Sequence, residues 1–195
     1  MPAEVSICNN ALIKLGEDTI TALTENSKAG RLCNALYADT RDTVLREHVW
    51  NFAMKRVQLA ENTTAPVFGY ANAFDLPSDC LRVISMQDTT YVFKIEANQL
   101  VTDESTAQIR YIARITDPTQ FDALFTEALA ARLAAEMAVP LVDSATAQQA
   151  MFDLFSIKLA EARTIDATEG TPDTVEADTW LDARLSGASI TVTTT

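Results

Sequence analysis

Few side chains in this sequence could do chemistry, and their spacing limits what that chemistry would be. The one histidine, His48, would need a nucleophile or a carboxylate brought to it by the fold before it could serve as a general base. It closes an amphipathic segment beside Trp50 and Phe52, which is the setting of a capping or packed imidazole. Asp75 and Asp79 bracket Pro77-Ser78. Paired carboxylates can share acid and base roles, but Asp and Ser around a proline are also ordinary turn residues. Asp39 and Asp42, with Arg41 and Arg46, read as paired charges on a solvated helix face. Cys8, Cys33 and Cys80 are odd in number and far apart, and a single histidine leaves zinc without ligands at workable spacing. Set among apolar residues, the three read as buried free thiols made in a reducing compartment. The sequence has no glycine-rich phosphate loop and no GxSxG elbow. The expectation is therefore a non-enzymatic protein with no cofactor and no metal; a hydrolase using Asp75, Asp79 and His48 is the enzymatic alternative.

The elements that would position these residues change character along the chain. Residues 3–15 carry Val5, Ile7, Cys8, Leu12 and Leu15 at helical spacing and end at Gly16, a natural left-handed stop. Asn26 or Ser27 can cap a second helix over residues 28–48. The middle third changes to short β-favouring runs at 57–59, 68–74, 80–86, 91–95 and 107–115, separated by turn residues at 75–79, 88–90 and 96–99. Such tight spacing predicts antiparallel pairing. A third helix is expected over residues 120–138, stopped by Pro140, and a fourth from the Ser144 cap to about Asp166. The third is apolar nearly all round: Phe121, Phe125, Leu129, Leu133 and Met137 on one side, alanines over most of the rest, with Arg132 and Glu136 four apart. It is either the central helix of a bundle or a helix that turns part of its surface to another subunit. Phe125, Leu129, Arg132 and Glu136 are the subunit-interface candidates. The fold class is thus α+β: an antiparallel four-helix body (1–54 plus 117–168), an inserted small antiparallel β region (55–116) and an extended C-terminal arm (169–195).

Composition fits this plan. The 195 residues are 48% hydrophobic with five Gly and six Pro, enough for a real core and against wholesale disorder. Fifteen Lys and Arg face 27 Asp and Glu, a formal net charge of −12, so the chain should neither coat a phosphate backbone nor seek an anionic membrane. The opening Met-Pro-Ala-Glu-Val-Ser does not look like a secretion signal, and the apolar stretch 128–142 is too short and too charged to span a bilayer. In the arm, Trp180, Leu181, Leu185 and Ile190 stand isolated among Thr and Ala, like anchors for a partner. The arm could instead fold back on its own domain. Seven acidic residues and one base between 161 and 182 would steer it to a basic surface.

Several local runs, in this order, resemble the tail tubular protein A family, the head-to-tail adaptors of short-tailed phages. They are Asn10-Ala11-Leu12 with Leu15-Gly16; Tyr37 with Arg41-Asp42 and Leu45-Arg46; His48-Val49-Trp50-Asn51-Phe52-Ala53 with Arg56; Leu76-Pro77-Ser78-Asp79-Cys80-Leu81-Arg82-Val83; Arg110-Tyr111; Thr116-Asp117-Pro118 with Phe121; and the stretch from Ala130 to Leu141. The family pattern has proline where this chain has Val49. The likeness covers residues 5–166. It implies a structural virion protein of the phage neck, made in the host cytoplasm. There it would form a dodecameric ring of copies of itself between the portal protein and the tail nozzle protein, with tail fibres as a further neighbour and double-stranded DNA only passing through the lumen. It also implies a C-terminal segment that engages the portal. A head-completion connector of a longer-tailed phage is the alternative, against which the β insertion argues.

Overall fold

The computed structural model describes residues 3–169. Four helices carry an inserted pair of small sheets. Helix α1 (Glu4–Leu15) starts where the Ala3 N–H donates to Ser6 Oγ, and Gly16, at φ 77°, stops it by donating to the carbonyls of Ile13 and Leu12. Helix α2 (Lys28–Glu47) is capped by Ser27, whose hydroxyl accepts from the Gly30 N–H at 3.0 Å. A Cβ on Gly30 would sit 2.5 Å from the Glu25 carbonyl oxygen, so the incoming loop can lie this close only against glycine.

Helix α3 (Ala123–Val142) is displaced from the range expected of it. Asp117-Pro118 opens a separate 3-10 turn (Pro118–Gln120), and Asp122 becomes the α3 cap by accepting from the N–H groups of Leu124 and Phe125. Pro140 does not stop the helix. It lies in the last turn, where it forfeits a single backbone bond, and the stop comes at Asp143, left-handed at φ 49°, whose N–H bonds the Val139 carbonyl. Helix α4 (Ala145–Thr168) follows from the Ser144 cap.

The insertion holds two three-stranded antiparallel sheets. In the first, β6 (Gln108–Ala113) lies between β1 (Met54–Gln58) and β3 (Cys80–Met86); in the second, β5 (Gln99–Thr102) lies between β2 (Asn72–Asp75) and β4 (Phe93–Glu96). Strand β5 is absent from the expectation, which gave Gln99 to a turn. The turn needs only Ala97 and Asn98, both at positive φ, and this tight hairpin frees Gln99 to pair with Glu96. The run 68–74 yields only β2. Residues before it form a loop, and Glu61 bridges to Phe74 to cover the outer edge of β2.

One continuous apolar cluster runs from the helices (Ile7, Leu12, Leu129, Met137) into the sheets (Met86, Leu100, Ile109). Helix α3 sits at its centre, packed against α1, α2 and α4, and is buried on every side between Ala128 and Ala138 except at Arg132 and Glu136. Its all-round apolar surface is therefore met by this chain's own helices. Of the two readings of this helix, the central helix of a bundle describes its packing within the chain; periodicity reports that a helix is enclosed and is silent on which chain encloses it.

Candidate functional site

The residues singled out as possible acids and bases are each engaged in holding elements together. His48 follows α2 in extended backbone, at φ −134° and ψ 164°, which ends the helix before Val49. Its ring meets Trp50 edge-on at 4.8 Å, and Nε2 lies 3.2 Å from Asp166 Oδ2. The other carboxylate oxygen of Asp166 accepts the Asn51 N–H at 3.0 Å, and Asn51 Nδ2 donates to the Asp166 carbonyl at 2.6 Å. Trp50, 1% exposed, donates Nε1–H to the Val44 carbonyl and packs edge-on against Phe125 at 5.1 Å. The end of α4 is thereby clamped to the head of β1. Burial, aided by the positive charges of Arg163 and Arg82, holds the His48 pKa below 6.5 despite Asp166. The unfolded chain then takes up the proton first, so stability falls as pH drops below that value. Wild-type protein should lose unfolding free energy between pH 7 and 5 in urea titrations, and His48→Asn should lose less over the same interval.

Asp79 accepts from Lys55 Nζ at 2.8 Å and from the Tyr111 hydroxyl at 3.1 Å. Burial pushes its carboxyl up, but these bonds and the Lys55 charge outweigh burial and hold it low. Burial and the neighbouring Asp79 charge raise the Tyr111 hydroxyl to about 12. Asp75 accepts from Asn62 and Gln99 in the second sheet. These partners differ from those of His48, and the structure builds no acid–base constellation from the three. Asp42 is shared between Arg41 and Arg114. Cys8 and Cys33 are buried, with Cys33 Sγ 3.7 Å from Met137 Sδ, whereas Cys80 is only half-buried because it opens the edge strand β3.

Of the subunit-interface candidates, Phe125 and Leu129 are fully buried within the chain's own core. Phe125 is ringed by Trp50, Phe52 and Phe121, so neither residue offers surface to a neighbour in this fold, and both assignments are corrected. Arg132 and Glu136 pair at 2.9 Å along α3, and the Arg132 guanidinium lies over Phe152 and Phe155 of α4 at 4.8 and 5.4 Å. The pair is a tie between two helices of one chain. Arg132→Ala should cost about 1–2 kcal/mol in urea unfolding, from lost cation–π contact and stem packing. The arm residues Trp180, Leu181, Leu185 and Ile190 lie outside the described residues.

Two surfaces stand out that the candidate list missed. At the far end of the insertion, Val67 is 98% exposed and Phe68 88%. They sit on a loop between Pro66 and Gly69 that, with the β4–β5 hairpin, borders a groove of about 550 Å³. Val92 and Ile95 on the open β4 side are exposed as well. The sequence signal was there: an apolar pair set between Pro and Gly fits neither helical spacing nor strand alternation. The second surface is the first sheet itself. Its strands carry Lys55, Arg56, Arg82 and Arg110 and no acidic residue, in a chain with nearly two acids for every base. Arg56 and Arg110 stand directly opposite each other and border a groove of about 570 Å³.

Among the described residues, no group of three or more His, Cys, Asp or Glu could hold a metal ion, and no helix is long and apolar enough to cross a membrane. Neither a scan of protein-family models nor a search of curated proteins returned a match to the chain.

Proposed function

We propose that this protein is a structural component of a phage neck, a head-to-tail adaptor whose copies form a ring between a portal and a tail nozzle. The observation that carries the reading is the apolar end of the insertion, where Val67 and Phe68 stand in water on a chain otherwise able to enclose a continuous core. An exposed aromatic beside an open strand edge is what a partner surface requires. Two further features support it: the helical body with an inserted β region, which matches what the sequence resemblance implies, and the ordered run of family-like motifs. In the structure these motifs are the joints of the fold, since Trp50 bonds the Val44 carbonyl, Asn51 meets Asp166, Asp79 ties Lys55 to Tyr111, and the alanine-rich run is the enclosed centre of α3. The net charge of −12 suits a conduit that must let DNA pass without gripping it.

In this reading the portal protein is the template, the nozzle and fibres are later neighbours, and the portal takes the segment around Trp180. Electron microscopy of the purified chain mixed with its cognate portal ring tests it. A ring of copies seated on the portal is the expected image. Bare portals at micromolar protein would overturn the proposal.

A further inference from the structure

The open edge of the second sheet carries a further inference, one that goes beyond the adaptor reading and does not rest on it. Strand β4 is the outermost strand there, and among the described residues no strand pairs with its far side. The opposite edge, at β2, is covered by the bridge from Glu61. Ala97 and Asn98, both at positive φ, form a two-residue turn, which makes Glu96 and Gln99 the hydrogen-bonded pair that closes the hairpin. Alternation along an antiparallel ladder makes Lys94 and Val101 the next such pair. Phe93 and Ile95 therefore aim their backbone N–H and C=O groups away from β5, at the open edge.

The side chains of β4 say what this edge accepts. Phe74, Leu100 and Ile95 stand opposite one another across β2, β5 and β4, a row that is buried at Phe74 and Leu100 and 45% exposed at Ile95. The row ends on an apolar residue where a polar one would seal it. Lys94 and Glu96, both exposed, flank Ile95 and point to the other face. A lysine alone on an edge strand repels a second copy of that edge and guards against pairing. Here Glu96 undoes the guard. When two β4 strands run antiparallel with Ile95 opposite Ile95, Lys94 of each copy faces the partner's Glu96. These are the non-hydrogen-bonded pairs of the ladder, where Cα atoms come to about 4.5 Å and side chains lie closest. The central isoleucines exchange two backbone bonds and carry the apolar row from one sheet into the next. The run Lys94-Ile95-Glu96 is thus complementary to itself across a two-fold axis.

We propose that the β4 edge is a docking site for a second copy of this chain, joining the two copies' three-stranded sheets into one continuous sheet. A contact of this kind closes after two copies, so it is distinct from the repeating contact of a ring. Built on one short ladder, it is a weak contact, half-dissociated at about 10–100 µM.

Sedimentation equilibrium of the purified full chain, without portal, from about 1 µM to about 1 mM is the test. The wild type should pass from monomer to dimer over that range. Lys94→Glu and Glu96→Lys should each raise the dissociation constant about tenfold or more, because every cross-strand pair becomes like-charged. Mixing these two variants in equal amounts should restore the dimer, since an acidic edge then meets a basic one. Ile95→Pro removes an outward N–H and no bond to β5, so it should abolish the dimer while circular dichroism shows the fold kept. A wild type that stays monomeric at about 1 mM would overturn the proposal, as would a dimer indifferent to all three substitutions. Slow hydrogen exchange of the Ile95 N–H in a monomer would put another part of the same chain on the edge, and would overturn it too. Because the portal is absent throughout, failure here leaves the adaptor reading standing, and bare portals in the microscope would leave the β4 contact standing.

Discussion

Trp50→Ala will cost about 3–5 kcal/mol of folding stability through lost packing, a large part of the 5–15 kcal/mol that holds a typical domain together. The indole sits where three parts of the molecule meet. Its face and edges contact His48, Phe52 and Phe125, which joins the end of α2, the start of the insertion and the enclosed helix α3. Its N–H satisfies the Val44 carbonyl, one of the last carbonyls of α2, at 3.0 Å. A helix terminus leaves these acceptors without partners in the helix, and burying one unpaired costs a further 1–3 kcal/mol, roughly. Trp50→Phe separates the two contributions: it keeps most of the ring contact and loses the bond, and should cost about 1–3 kcal/mol. Urea unfolding followed by circular dichroism measures both. A loss under about 2 kcal/mol for Trp50→Ala would show that the helices and the insertion are held together elsewhere.

The helices were legible because their ends are written in single residues. Ser27, Ser144 and Gly16 each do locally what their types predict, and apolar spacing between them fills in the rest. Strand β5 was not, since four residues beside a two-residue turn carry little pattern, and only the positive φ of Ala97 and Asn98 shows that the turn is so tight. Pro140 misled for a physical reason: its cost depends on how many backbone bonds follow it, and in the last turn almost none do. The candidate site was legible in a weaker sense. Spacing identified Phe125 and Leu129 as residues that must be covered, and they are, but by Trp50, Phe52 and the neighbouring helices of the same chain. Arg132 and Glu136 likewise announced a paired charge, while the α4 rings beneath Arg132 come from a contact that sequence spacing cannot show. The basic sheet was hidden because its cations come from strands up to about fifty residues apart; only the order β1–β6–β3 gathers them.

If the apolar end of the insertion is a partner surface, Val67→Ser with Phe68→Ser will separate folding from assembly. Both side chains already stand in water, at 98% and 88% exposure, so removing them takes nothing from the core, and the melting temperature should move by no more than a surface substitution allows, about 0.5 kcal/mol each. Burying a valine and a phenylalanine in an interface is worth about 1.5–3 kcal/mol apiece, so their loss should weaken association by about two to four orders of magnitude. Sedimentation of the variant with the cognate portal, beside a thermal melt of the variant alone, reads both quantities. Unchanged binding would remove the tip from the interface and with it the main structural support for the adaptor reading. A large fall in melting temperature would mean that the loop braces the second sheet, and the exposed pair would then belong to the fold. Normal folding with lost binding is the expected outcome, because Pro66 and Gly69, at φ 93°, set the path of the loop and both are left in place.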